Sequence, residues 1–253
     1  MLRREEHPDG IVELAMDRPP ANALDLELVE ALRGGLAEAV AAGAEGIVLS
    51  GRPGMFSAGL DVPHLLGLER PGIEALWGAY LSLLREIAEC AVPVSAAITG
   101  HSPAGGAVNA LFCDERVMAE GEYRIGLNEV SVGIALPREI FGPLVRLVGE
   151  RQAERLGVGG LMIPAAEALR LGLVDELVPL ERVTERAVER LRALLALPRG
   201  PMLATRAMFR SELAAGLDSA RVVQLLVEQW FSDTTQTALR RLVDRLRRPG
   251  KES

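Results

Sequence analysis

Two glycine-bearing loops constrain this chain more than any other feature. One reads Phe56-Ser57-Ala58-Gly59-Leu60-Asp61 and the other Pro103-Ala104-Gly105-Gly106-Ala107; each follows a short apolar, β-rich run and opens into a helix. A junction of this kind gathers free backbone N–H groups at one point, with the positive end of a helix dipole behind them. Two such junctions that converge form an oxyanion hole, the device that stabilises an enolate or a tetrahedral intermediate. Downstream, Glu129 in Gly126-Leu127-Asn128-Glu129 is a candidate base. The combination suggests proton transfer beside a carbonyl group. Taken singly, the loops also read as ordinary glycine turns, and Glu129 as a surface residue between a strand and a loop.

The rest of the chain supplies an α/β frame for these loops. Ile11 to Met16 reads as a strand, followed by the turn-rich Arg18-Pro19-Pro20-Ala21-Asn22-Ala23. Asp25 is placed to cap a helix whose apolar face is Leu28, Leu32, Leu36 and Val40. Gly46 to Leu49 is a buried strand ahead of the first loop. A helix with Tyr80, Leu83, Leu84 and Ile87 on one face precedes a strand over Val92 to Thr99 and the second loop. Short strands follow at Glu115 to Met118 and Tyr123 to Ile125. Strands alternating with helices at this interval imply an α/β architecture.

Beyond about residue 140 the pattern is almost wholly helical. Ala165 to Leu171 is closed by Gly172, a short extended stretch runs to Pro179, and a longer helix spans Glu181 to Leu195. Pro198-Arg199-Gly200-Pro201 breaks the chain and divides it into 1–197 and a 198–253 tail of about three helices. Asp233 and Gln236 have capping-box spacing before the last helix, and Leu239, Leu242 and Leu246 form its apolar stripe.

Composition excludes several functions. Only 4% of the 253 residues are aromatic, so the core rests on Leu, Val, Ile and Ala. A net charge of −7 gives no global support to a nucleic-acid partner. Cys90 and Cys113 lie in apolar surroundings and read as reduced core residues. No apolar signal region opens the chain and no apolar run nears the roughly 20 residues that span a bilayer. The expectation is a cytoplasmic protein without a membrane partner. No Cys, His and Asp grouping has metal-ligand spacing, so no metal is expected. His64 and His101 flank the loops and are taken as packed or surface residues.

Five pieces in order make the chain resemble the crotonase, or enoyl-CoA hydratase/isomerase, superfamily. They are the Arg18 to Ala23 loop, the Phe56 to Asp61 loop, Pro103-Ala104-Gly105-Gly106, Cys113-Asp114, and Ala165-Ala166-Glu167-Ala168 leading to Gly172-Leu173-Val174-Asp175. Within it, Ile125-Gly126-Leu127-Asn128-Glu129 followed by Val132-Gly133-Ile134 is most similar to the 3,2-enoyl-CoA isomerases of mitochondrial type. The resemblance implies a crotonase-like spiral of ββα turns, with a spiral core over 1–197 holding the CoA and acyl site. It implies that the helical 198–253 region serves packing and oligomerisation, in a homotrimer or a hexamer of two trimers. The substrate it implies is an acyl-CoA thioester, with no separate cofactor because coenzyme A is part of the substrate.

Carried over by motif position, the oxyanion donors are the backbone N–H groups of Leu60 and Gly105, and Glu129 is the catalytic acid–base. Ala21, Ser57, Ala58, Gly59, Leu60, Asp61, Gly105 and Asn128 match substrate-binding positions. Asp61 reads equally as a helix cap. Arg18, Arg52, Arg240, Arg241, Arg245, Arg247 and Arg248 read either as CoA-phosphate contacts or as a solvated basic face. The departure from the hydratases is Val108, where they carry a second glutamate. The leading expectation is therefore a 3,2-enoyl-CoA isomerase in fatty acid oxidation. The alternatives are another crotonase-type reaction such as hydration, and a non-catalytic CoA-binding scaffold.

Overall fold

In the computed structural model, residues 1–247 are described, and Arg248 lies outside them. The strands are β1 (Leu2–His7), β2 (Ile11–Met16), β3 (Gly46–Ser50), β4 (Gly54–Met55), β5 (Val94–Ile98), β6 (Gly100–Pro103), β7 (Glu115–Ala119), β8 (Arg124–Gly126), β9 (Ile163–Pro164) and β10 (Glu176–Val178). The helices are α1 (Leu26–Ala41), α2 (Val62–Leu65), α3 (Arg70–Ala88), α4 (Gly105–Leu111), α5 (Arg138–Val148) and α6 (Glu150–Gly159). They continue as α7 (Ala165–Leu171), α8 (Val183–Leu195), α9 (Arg199–Ala214), α10 (Ala220–Trp230) and α11 (Asp233–Arg247).

Among the described residues, ten strands form two sheets, ordered β1-β2-β3-β5-β7-β10 and β4-β6-β8-β9. The chain distributes its strands in pairs. In β3–β4, β5–β6 and β7–β8, the first member joins the large sheet and the second the small one, and a helix follows each pair. β3, β5 and β7 are mutually parallel in one sheet, and β4, β6 and β8 in the other. This is the expected spiral of ββα turns.

The strands of the large sheet are continuous apolar runs because both faces are covered. Ile11, Val48, Ala97 and Val117 point toward Val183, Ala187 and Leu191 of α8. The alternate residues Ile47, Leu49, Ala96 and Ile98 enter the main core, which α1 and α3 close. Asp25 caps α1 as expected, accepting the Leu28 N–H at 2.9 Å. Leu28, Leu32 and Leu36 are buried beneath it.

Three features depart from the sequence reading. β1 is an additional strand, antiparallel to β2; its exposed Arg3, Arg4, Glu5 and Glu6 give no alternation and protect a sheet edge with charge. The run over Val92 to Thr99 is shorter than expected, since β5 ends at Ile98 and the chain crosses to the small sheet as β6. The cap before α11 is Ser232 rather than Asp233: its Oγ accepts the Thr235 N–H at 3.2 Å, one register earlier. As far as residue 247 the tail packs on the body, for Leu213, Val222, Leu226, Trp230 and Leu239 belong to the same buried cluster as β3 and α3.

Arg206 of α9 secures that docking. Its guanidinium forks onto Asp114 at 2.8 and 2.9 Å and donates to the Cys90 carbonyl at 2.5 Å. Asp114 also accepts the Val94 N–H at 2.8 Å, so one carboxylate joins α9 to β5. Removing Arg206 leaves the buried Asp114 carboxylate with only the more distant Arg210, at 3.7 Å, to compensate its charge. Arg206→Met is expected to lower the urea unfolding free energy by about 3 kcal/mol. A loss below about 1 kcal/mol would contradict the anchoring role given to this pair.

Candidate active site

The three parallel strands of the small sheet each end in a segment singled out in the sequence. β4 runs into Phe56–Asp61, β6 into Ala104–Gly106, and β8 into Asn128–Glu129. Parallel neighbours place their carboxyl ends on one side, which is where ligands bind in open α/β sheets. The three segments are thereby brought to one place.

The first loop is held by the Arg18 to Ala23 segment. Asn22 is the centre of the join: its side chain accepts the Arg18 N–H at 2.8 Å and donates to the Phe56 carbonyl at 3.0 Å. Its own carbonyl accepts the Ser57 hydroxyl at 2.8 Å. Further on, Leu24 pairs with both flanks of Leu60, donating to the Gly59 carbonyl at 2.7 Å and accepting the Asp61 N–H at 2.8 Å. Adjacent backbone groups alternate in direction along such a ladder, so the Leu60 N–H points away from Leu24.

The second loop lies against the first. Gly59, at φ +78°, is so close to it that a Cβ there would stand 3.0 Å from the Gly105 nitrogen. A Cβ on Gly106 would stand 2.5 Å from the Ser57 carbonyl oxygen, a distance that no side chain tolerates. Ala104 adopts φ 47°, ψ −124°, a strained conformation that sets the plane of the Ala104–Gly105 peptide and hence the direction of the Gly105 N–H. The Ala104 N–H is tied to the Gly126 carbonyl at 2.8 Å, which joins this loop to the end of β8.

Between these segments lies a cavity of about 730 Å³. Ala21, Ala58, Leu60, Asp61, Gly105, Asn128 and Glu129 all line it. Ser57 and Gly59 do not: Ser57 is fully buried behind the wall, with its hydroxyl spent on Asn22 and on the Gly59 N–H at 3.2 Å. Asp61 caps α2 through the His64 N–H at 3.2 Å and pairs with Arg18 at 2.9 Å. Arg18 also binds Asp25 at 2.6 Å, so its charge is matched within the protein. His64 and His101 are not among the lining residues, and His101 accepts the Arg124 N–H at 3.2 Å.

Glu129 opens a short 3-10 turn that ends at Val132. It is 9% exposed, and its Oε2 has no hydrogen-bond partner among the described residues. Burial pushes its pKa up to about 7, against a smaller opposing effect of its own backbone N–H. Val108 also faces the cavity and is 1% exposed.

The sequence reading left several lining residues unassigned. Trp77 and Tyr80 of α3 line the cavity, as do Trp230, Leu239, Leu242 and Leu246 from the tail. The site therefore draws on 198–253 as well as on 1–197. The half-buried stripe on α11 was legible, but nothing in the sequence says that it faces a cavity rather than another helix.

A model of the enoyl-CoA hydratase/isomerase family matches residues 6–243. The chain belongs to that family. It is 35% identical over 243 residues to the human mitochondrial enoyl-CoA delta isomerase 1, covering 94% of this chain and 80% of that one. The crystal structure of the human mitochondrial delta3-delta2-enoyl-CoA isomerase superposes with a TM-score of 0.93 at 34% identity, covering 97% and 98% of the two chains. An enoyl-CoA hydratase, EchA3 from Mycobacterium ulcerans, superposes with a TM-score of 0.79 at 25% identity over 90% and 96%. Among the described residues, no helix is long and apolar enough to cross a membrane.

The burial of Glu129 has a measurable thermodynamic consequence. Its folded-state pKa lies above the ordinary 4.5, so the fold favours the neutral acid. The stability this confers is complete below about 4.5 and is lost as pH rises through about 7. Relative to Glu129→Gln, the wild-type unfolding free energy is expected to fall by about 3 kcal/mol across that window. Parallel denaturation curves from pH 4 to pH 8 would contradict the burial assigned to this carboxyl.

Proposed function

We propose that the protein is a 3,2-enoyl-CoA isomerase acting in fatty acid oxidation. One observation carries the reading: among the described residues two acids line the cavity, and since Asp61 is paired and capping, Glu129 is the one free carboxylate of the two beside the loops. In this reading the thioester oxygen accepts the Leu60 and Gly105 N–H groups. Glu129 removes a proton from carbon 2 of a 3-enoyl-CoA. The negative charge passes into a dienolate whose oxygen stays in the hole. Glu129 returns the proton at carbon 4, and the double bond ends between carbons 2 and 3, in conjugation with the thioester.

The magnitudes suit such a step. Each oxyanion donor contributes about 3 kcal/mol to the transition state, and a positioned base about 100- to 10,000-fold. A carboxyl with a pKa near 7 gives up and regains its proton with little penalty at neutral pH. Hydration needs a second group to hold and activate water, and Val108 stands with an apolar side chain where the family's hydratases carry a glutamate. The substrate supplies its own coenzyme A, so the proposal includes no further cofactor. It retains a homotrimer or hexamer in the cytoplasm, to be checked by light scattering and fractionation.

The deciding experiment pairs two substrates with the purified protein. 3-Hexenoyl-CoA is expected to gain conjugated-enoyl absorbance without a change of mass, while 2-hexenoyl-CoA stays unhydrated. Water addition to the second would replace this reading with the hydratase, and binding without turnover of either would favour the scaffold. Glu129→Gln is expected to lower isomerisation by at least about 100-fold with acyl-CoA binding retained. Wild-type turnover should rise with pH through about 7, as the carboxylate forms. Val108→Glu is expected to gain hydratase activity, and its failure to do so would show that the missing acid is not what prevents hydration.

A further inference from the structure

Tyr80 is a buried titratable group at the cavity that the proton transfer does not use. Its ring is 2% exposed in α3 and packs tilted against Trp77 at 6.2 Å between centroids. The hydroxyl donates to the Gly105 carbonyl at 3.0 Å. It lies so close to that residue that a Cβ on Gly105 would stand 3.2 Å from the phenolic oxygen. We infer that Tyr80 is a positioning residue whose hydroxyl clamps Gly105 and so aims the oxyanion donor of the second loop.

Gly105 needs such a clamp. It has no side chain to restrict its backbone, and it is the first residue of a seven-residue helix whose N-cap, Ala104, offers no side-chain cap. The peptide before Gly105 carries the donor N–H, and its carbonyl is fixed by the Val108 N–H at 2.9 Å. The peptide after Gly105 is fixed from outside the helix by Tyr80. Both sides of a soft residue are thus held, and the donor cannot swing without breaking one bond or the other.

The choice of a phenol also suits the neighbouring base. Burial, and then the nearby Glu129 carboxylate, push the Tyr80 pKa well above its ordinary value. The hydroxyl therefore remains a donor throughout the range in which Glu129 titrates. A neutral phenol adds no charge beside Glu129, so removing it leaves the base's own titration in place.

The inference rests on the isomerase reading, and its test separates the two. Tyr80→Phe keeps the ring and removes the donor. It is expected to lower kcat for 3-hexenoyl-CoA about five- to tenfold, with KM and the pH inflection unchanged. Acetoacetyl-CoA reports on the hole directly, because its bound enolate absorbs in the near ultraviolet. The enolate fraction is expected to fall with kcat in Tyr80→Phe, while the affinity for saturated hexanoyl-CoA stays the same. Wild-type protein that never holds the enolate would overturn the isomerase reading itself. Wild-type protein that holds it, with Tyr80→Phe equal to it in kcat and enolate fraction, would overturn only the role of Tyr80. So would a variant whose KM and hexanoyl-CoA affinity worsen as much as its kcat, since that marks a distorted cavity rather than a misaimed donor.

Discussion

The parallel pairing of β4, β6 and β8 is the constraint on which the site depends. These strands contain two to four residues each, yet their carboxyl ends deliver the two glycine loops and Glu129 to one cavity. A slip of one residue would move a loop by about 3.3 Å and turn its side chains to the other face. Such a slip is blocked by close backbone contact: Gly106 sits where a Cβ would meet the Ser57 carbonyl at 2.5 Å, and the Ala104 N–H is bonded to Gly126. The large sheet and its helices supply the rigidity that strands so short cannot supply themselves.

Chemistry and stability oppose each other at this place. Glu129 carries a buried oxygen with no partner among the described residues, and Ala104 holds a backbone conformation that a non-glycine residue rarely adopts. Each costs folding free energy, and each has a use in the proposed reaction: one raises a carboxyl's pKa toward neutrality, the other sets the direction of the Gly105 N–H. The continuous apolar core shared with the tail offsets these costs at a distance from the chemistry. The tail is also part of the site. Thr235 donates to the Gly133 carbonyl at 2.7 Å, so α11 is fastened to the end of the turn that carries Glu129.

Much of this was legible in the sequence where residues act through pattern or through backbone. The apolar runs of β2, β3 and β5 gave the covered sheet, and Asp25 with its leucine stripe gave α1. The loops were recognisable because glycine marks a turn, whereas Glu129 by itself reads as a surface residue and stood out only through the resemblance of the stretch around it. β1 escaped because its outward residues are charged on both faces, and β4 and β9 because two residues carry no period. Ser57 looked like a contact but faces inward, since a hydroxyl serves a turn as readily as a ligand. Tyr80 read only as an apolar helix position; that a buried phenol must find an acceptor was the available clue, but which acceptor depends on how α3 meets the second loop.

In the proposed reaction one carboxyl moves the proton from carbon 2 to carbon 4. Isomerisation of 3-hexenoyl-CoA in deuterated water, with deuterium located in the product by NMR, tests that transfer. Deuterium is expected at carbon 4 to the extent that the Glu129 proton exchanges with solvent, with no added oxygen, and both conversion and label are expected to be lost in Glu129→Gln. Conversion and labelling that persist unchanged in that variant would show that another group carries the proton.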